Sequence, residues 1–227
     1  MSIEEIRSLA FAQLSQRNIY NNPYLAALKT HLSLEDFCKT QIQFFFAVTF
    51  FSRPMAGLIA RIPDPEMRLS ILHNLVEEHG DFDTACFHHY TFLDFLKRLG
   101  LQADKIEQTV LWPEVRAFNS ALSAACILDE IEVGIACMGI IELAFADIST
   151  TIGQAVIARK WLSEDELTHY KLHAEIDNRH ADEFFSILQT GLKYPEKRYL
   201  IEQGLSLGAY IFNRLYSDLY NKISFND

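Results

Sequence analysis

Glycine and proline are scarce in this sequence, nine and six residues among 227, and they fall between or at the ends of periodic apolar stretches. Alternating strand patterns, internal repeats and low-complexity linkers are lacking altogether. Cysteine is equally sparse: Cys38, Cys86, Cys126 and Cys137 are widely separated and form no C-x-x-C pair. Each sits in an apolar helical context, which reads as buried, reduced thiols in a cytoplasmic protein. Positive charge is in deficit, 20 Lys and Arg against 30 Asp and Glu, for a net charge of -10. That balance argues against nucleic-acid or anionic-membrane binding, which needs a basic face. The N-terminus MSIEEIRSLA has neither the basic stretch nor the apolar run of a signal peptide. No apolar run reaches the ~20 residues of a bilayer span, and the richest, Phe44 to Phe51, is far shorter. Absent too are a G-x-S-x-G elbow, a phosphate-cradling glycine loop, a Rossmann fingerprint and a C-x-x-C-H heme attachment motif.

What is present is apolar and helical. Hydrophobic residues make up 49% and phenylalanine alone supplies 17, enough for one fairly large domain, residues 1–227, with a core of large side chains. Ser33 caps a helix to about Arg61, with acids in its first turn and Pro54 as a kink. Asp64-Pro65-Glu66 starts a second, ending near Gly80. A third covers about 83–98, and Pro113 opens a fourth to about Leu128. A long apolar helix spans roughly 131–159. A capping box at Ser163–Glu166 places the next at about 164–190, and a last one follows Pro195 to about Tyr220. The fold class is all-α: a single bundle of seven or eight helices.

Three segments carry chemistry. In H-A-E-I-D-N-R-H (173–180), positions i, i+4 and i+7 place His173, Asp177 and His180 on one helical stripe, continued by His169, Phe184 and Leu188. Two imidazoles and a carboxylate suit Fe(II), Mn(II) or Zn(II). The surrounding Lys171, Glu175, Arg179 and Asp182 also fit a solvated charged face. Glu142 is the only charged residue of Val133–Ala146. A carboxylate on a helix apolar all round must be neutralised, paired or coordinated. In N-L-V-E-E-H-G-D-F-D-T-A-C-F-H-H (74–89), Glu77 or Glu78 with His88 or His89 would bring the donors to six on four helices. Such a set, with positions open to oxygen, suits an iron pair that activates O₂.

With these residues in this order, the chain resembles the heme-oxygenase-like dimetal oxidases, the group that includes CADD and is related to PqqC and TenA. The resemblance covers nearly the whole chain. It rests on N-L-V-E-E-H-G (74–80), His88 twelve residues before Gly100, the lone Glu142, and H-A-E-I-D-N-R-H-A (173–181). It implies a heme-oxygenase-like bundle without heme, holding two Fe ions or a Mn/Fe pair with O₂ as co-substrate. The ligands it implies are Glu77, His88, Glu142, His173, Asp177 and His180, with His79 and His89 outside the set. Tyr24, in N-P-Y-L-A-A-L, falls where the p-aminobenzoate-forming branch has a tyrosine near the metals and is the catalytic candidate. That branch has a lysine where this chain has Ile152, which argues against self-sacrificing chemistry. The function implied is oxidation or oxygenation of a small, partly apolar metabolite such as an amino-acid or fatty-acid derivative. Phe44, Phe45, Phe51 and Phe145 are candidates to line its site, and Arg53 or Arg179 to bind a carboxylate. A cofactorless PqqC- or TenA-like enzyme binding an aromatic ligand, or a CADD-like interaction protein, are the alternatives. A homodimer through helix faces is common in similar proteins.

Overall fold

The computed structural model describes residues 3–224, and among them every regular element is helical. The chain runs through α1 (Ile3–Gln16), α2 (Pro23–Thr30), α3 (Leu34–Arg61), α4 (Arg68–Glu78), α5 (His88–Arg98), α6 (Ala103–Glu107), α7 (Pro113–Ile127), α8 (Ile131–Ala158), α9 (Thr168–Leu188) and α10 (Pro195–Ser224). The short α2 and α6 take the number past the seven or eight read from the sequence.

Helix α8 is the centre of the bundle. Every residue from Val133 to Ala146 is buried, as an all-apolar helix requires. Helices α9 and α10 pack along it, and α7, α3 and α2 complete its surroundings. Small residues permit the close approach. A Cβ on Gly139 would fall 2.7 Å from Phe185 of α9, and on Gly208 of α10 it would run into Ile140 and the Cys137 carbonyl. Each fully buried aliphatic or Phe side chain here is worth about 1.5–3 kcal/mol.

Helix ends follow local chemistry. The Ser33 side chain accepts from the Asp36 N–H and opens α3, which continues through Pro54 to Arg61. By length and composition α3 is apolar enough to cross a membrane, with mean hydropathy 1.4 over 18 residues, half of them buried in the bundle.

Three starts fall later than the sequence suggests. Asp64 accepts from the Glu66 and Met67 N–H groups and closes a turn, so α4 begins at Arg68. Asp83 accepts from Ala85 N–H in a 3-10 turn, and Phe87 is extended, so α5 begins at His88. The capping box of Ser163 and Glu166 is present, but it caps one 3-10 turn; Leu167 interrupts, and α9 starts at Thr168. Cys38, Cys126 and Cys137 are buried thiols as anticipated, whereas Cys86 is exposed, because its segment is a pair of turns rather than a packed helix.

Candidate metal centre

Helix α9 presents two chemically different faces. Lys171, Glu175 and Arg179 are exposed, while His169, His173, Asp177, His180 and Phe184 are buried on the opposite side. The polar trio therefore points inward, against Glu142 of α8. One donor atom each from Glu142, Asp177 and His180 lie within 4.8 Å of one another. His180 Nδ1 is 3.8 Å from both Glu142 Oε2 and Asp177 Oδ1. Oxygen and nitrogen donors about 2.0–2.2 Å from one ion span a similar distance after small side-chain adjustments.

A second group adjoins the first. His173 Nδ1 is 2.8 Å from Asp177 Oδ1, and its ring stands 4.5 Å from that of His88, the first residue of α5. His88 Nδ1 is 2.9 Å from Glu78 Oε1, at the last turn of α4. Asn74, one turn earlier and fully buried, donates to Glu142 Oε1 at 3.4 Å. Helices α4, α5, α8 and α9 thus converge their side chains on one buried place.

The adjacent acids of α4 go different ways. Glu78 has a side chain 5% exposed and faces His88. Glu77, 19% exposed, takes both NH2 hydrogen bonds of Arg179 at 2.7 and 2.8 Å. It also lies 2.8 Å from His180 Nε2, so it touches the far side of a donor imidazole rather than the inner group. Arg179, a carboxylate-binding candidate, is taken up by Glu77 and Glu183. Arg53 lies over the Phe50 ring in a groove between α3 and α7. His79 bonds the Leu75 carbonyl oxygen, and His89 is exposed beside Phe45.

The electrostatics are those of buried groups lacking enough partners. Burial raises the Glu78 carboxyl, but His88, followed by His173 and His180, outweighs it and holds the group down to about 2. Burial and the His88 charge bring His173 down to about 3. Burial also works against charge on His180, yet Glu142, Glu77 and Asp177 overcome it and lift its pKa to about 10. Asp177 is pushed well above the carboxylate range by burial and by Glu142. His173 Nε2, Asp177 Oδ2 and His180 Nδ1 are buried without a hydrogen-bond partner, while His88 Nδ1 has only its ion-pair contact with Glu78. Buried polar atoms normally have partners. A cluster of orphaned imidazole nitrogens and a carboxylate oxygen is the donor chemistry that a borderline divalent cation fits.

The donors open onto apolar space. A small cavity of about 40 Å³ lies between Glu78, Glu142 and His173 on one side and phenylalanines on the other. Phe44, Phe51, Phe118, Phe145 and Phe212 supply the rings. Phe45 does not, packing instead on Phe46, His89 and Phe92. Tyr24 stands behind this wall. It is fully buried, its hydroxyl sharing hydrogen bonds with Thr40 at 2.8 Å and Gln41 at 2.9 Å. Gln41 in turn accepts from Tyr170, whose ring is 5.5 Å from that of His169. Asn74 and Gln41 were missed in the sequence; Asn74 carried a signal, since Ile71, Asn74 and Glu78 form one i, i+3, i+7 stripe.

Residues 38–208 match the family described as "Iron-containing redox enzyme", a stretch that contains the α4, α5, α8 and α9 donors. No curated protein matches the sequence. Among solved structures, a domain of unknown function with a heme oxygenase-like fold from Shewanella denitrificans OS217 superposes with TM-score 0.81 at 13% identity, covering 99% of this chain and 94% of that one. A CADD-like protein of unknown function from Nostoc punctiforme PCC 73102 gives 0.78 at 14%, covering 96% and 98%. A TenA homolog from Pseudomonas syringae pv. tomato DC3000 gives 0.76 at 14%, covering 96% and 92%. The fold is therefore heme oxygenase-like.

Proposed function

Since the chain belongs to the family of iron-containing redox enzymes, we propose that it is a non-heme dimetal oxidase or oxygenase acting on a small, partly apolar metabolite. The observation that carries this reading is the convergence of Glu78, His88, Glu142, His173, Asp177 and His180 on one buried place, with several donor atoms unpartnered. In this assignment Glu142, Asp177 and His180 would hold one ion, and Glu78, His88 and His173 would hold the other. A pair of irons in such a site supplies the electrons that activate O₂.

The protein's own part is to position and to exclude water. Glu77 accepts from His180 Nε2–H, leaving Nδ1 as the donor atom and fixing the ring, the arrangement in which an outer carboxylate orients a ligating imidazole. Arg179 keeps Glu77 ionised: burial raises that carboxyl, and the two hydrogen bonds from Arg179 and the His180 contact bring it below the usual range. Asn74 orients Glu142. The phenylalanine-lined space offers no cationic side chain, so it suits an apolar portion of the substrate, placed beside Glu78, Glu142 and His173. Tyr24 contributes from behind, by holding Gln41 and through it Tyr170.

Anaerobic Fe(II) titration of metal-free protein, with metal analysis, tests this assignment. Near two irons per chain, and a transient visible absorbance on mixing with O₂, are the expected results. Metal-free protein that refuses iron but binds aromatic ligands tightly would instead support a cofactorless enzyme.

A further inference from the structure

One buried imidazole beside this centre is left without a role. His169 lies one helical turn before His173 on the same face of α9 and is fully buried. Its ring is 4.3 Å from that of His173 and 6.1 Å from that of His88. The remaining neighbours are rings as well, Phe92 at 4.6 Å and Tyr170 at 5.5 Å.

The hydrogen bonds fix which nitrogen of His169 carries the proton. Thr91 has one hydroxyl proton, and it is donated to the His88 carbonyl oxygen at 3.2 Å. Toward His169 Nδ1, 3.1 Å away, the same oxygen can then only accept. Nδ1 is therefore the protonated nitrogen. Full burial disfavours a charge on this ring. Nε2 is left as a bare lone pair, inside the protein, with no donor to meet it. A buried acceptor without a partner is costly. Phenylalanine or leucine would fill the same space without leaving such an atom.

We propose that His169 is a further donor to the centre, its Nε2 adding a third imidazole to the ion held by His88 and His173. This rests on the dimetal reading above. It makes the two ion positions unlike in chemistry: imidazole-rich beside α5, carboxylate-rich beside Glu142 and Asp177. Thr91 is a positioning residue, since its hydroxyl ties the tautomer of His169 to the backbone of His88.

The test uses Co(II) affinity, by competition with a chelator, and electron spin-echo spectroscopy of protein loaded with Cu(II), which reports coordinated imidazoles. His169→Gln should lose one imidazole from the Cu(II) signal and weaken Co(II) binding by about tenfold or more. Thr91→Val keeps the imidazole but removes the hydroxyl that orients it, and should weaken binding by a smaller factor. Both variants are checked for native helicity and thermal unfolding, and the wild-type imidazole count stands whether or not His169→Gln folds. Wild-type protein whose signal contains only the His88, His173 and His180 imidazoles overturns the proposal. So does a His169→Gln protein whose Co(II) affinity stays within twofold. Wild-type protein that binds neither ion sinks the dimetal reading itself, an outcome distinct from both.

Discussion

A step of one residue along α4 turns a side chain by about 100°, and that rotation separates the duties of Glu77 and Glu78. Glu78 shares its stripe with Ile71 and Asn74 and faces His88; Glu77 faces Arg179 and the far nitrogen of His180. If the proposed centre takes up two ions, Glu78→Gln is expected to lower the content to about one per chain. Glu77→Gln should keep both, bound roughly 10–100-fold more weakly, as for an outer partner of a ligating histidine; metal analysis after desalting distinguishes the two patterns. Protonation gives a second test. In metal-free protein His180 keeps its proton up to about 10, and an ion at Nδ1 must displace it. Binding therefore releases a proton at neutral pH, so Fe(II) or Mn(II) affinity rises with pH, by about tenfold per unit between pH 7 and 9 for this proton alone. A pH-independent binding constant over that range would count against His180 as a ligand. The trio on α9 and the lone Glu142 were legible in the sequence because their spacing and apolar setting are local properties. The choice between neighbouring acids was not: the resemblance pointed to Glu77, whereas Glu78 is the acid that faces His88. It depends on which side of α4 meets α9, and the Ile71–Asn74–Glu78 stripe was its only local trace.

Elements differ in how far their ends can be read. Where a cap sits directly on a helix, as Ser33 does on α3, the boundary is visible in the sequence. Where the same residue types close a turn first, as at Asp64, Asp83 and Ser163, the helix begins several residues later. The order of phi and psi in the intervening turn decides this, and residue identity constrains it weakly. Helix packing offers a sharper test. Gly208 of α10 faces Ile140 and the backbone of Cys137, and Gly204 faces the Val133 carbonyl and Ala136. Either glycine changed to alanine would force α10 away from α8, an overpacking that typically costs about 1–3 kcal/mol. At roughly 2–4 °C per kcal/mol for a chain of this size, calorimetry should show Tm lower by several degrees. Gly57→Ala, whose Cβ would meet only the Ile127 side chain, with Cγ1 at 3.2 Å and Cδ1 at 3.4 Å, is the milder control.

At the scale of the molecule, the donors come from α4, α5, α8 and α9, which are far apart in sequence and meet only in the folded bundle. An ion bound there is bound to the native state alone, and so adds to stability by mass action. Free Fe(II) or Mn(II) at about a thousand times its Kd should contribute roughly 4 kcal/mol, seen as a rise in Tm that a chelator reverses. The segment joining Glu78 to His88 bears on how fast this happens. Gly80, Asp81 and Phe82 all have positive φ, at 59, 52 and 70°, and Phe82 is 81% exposed. For Asp81 and Phe82 that backbone is unfavourable by about 1–3 kcal/mol each, while a Cβ on Gly80 would strike Cys86. A short, strained and solvent-facing connection is the part of this bundle cheapest to open, and opening it would part Glu78 from His88 while α8, α9 and α10 stay packed. Iron uptake would then be a kinetic property of nine residues rather than of the whole fold, and a protease cutting between His79 and Phe87 should find its site more slowly once the ions are in.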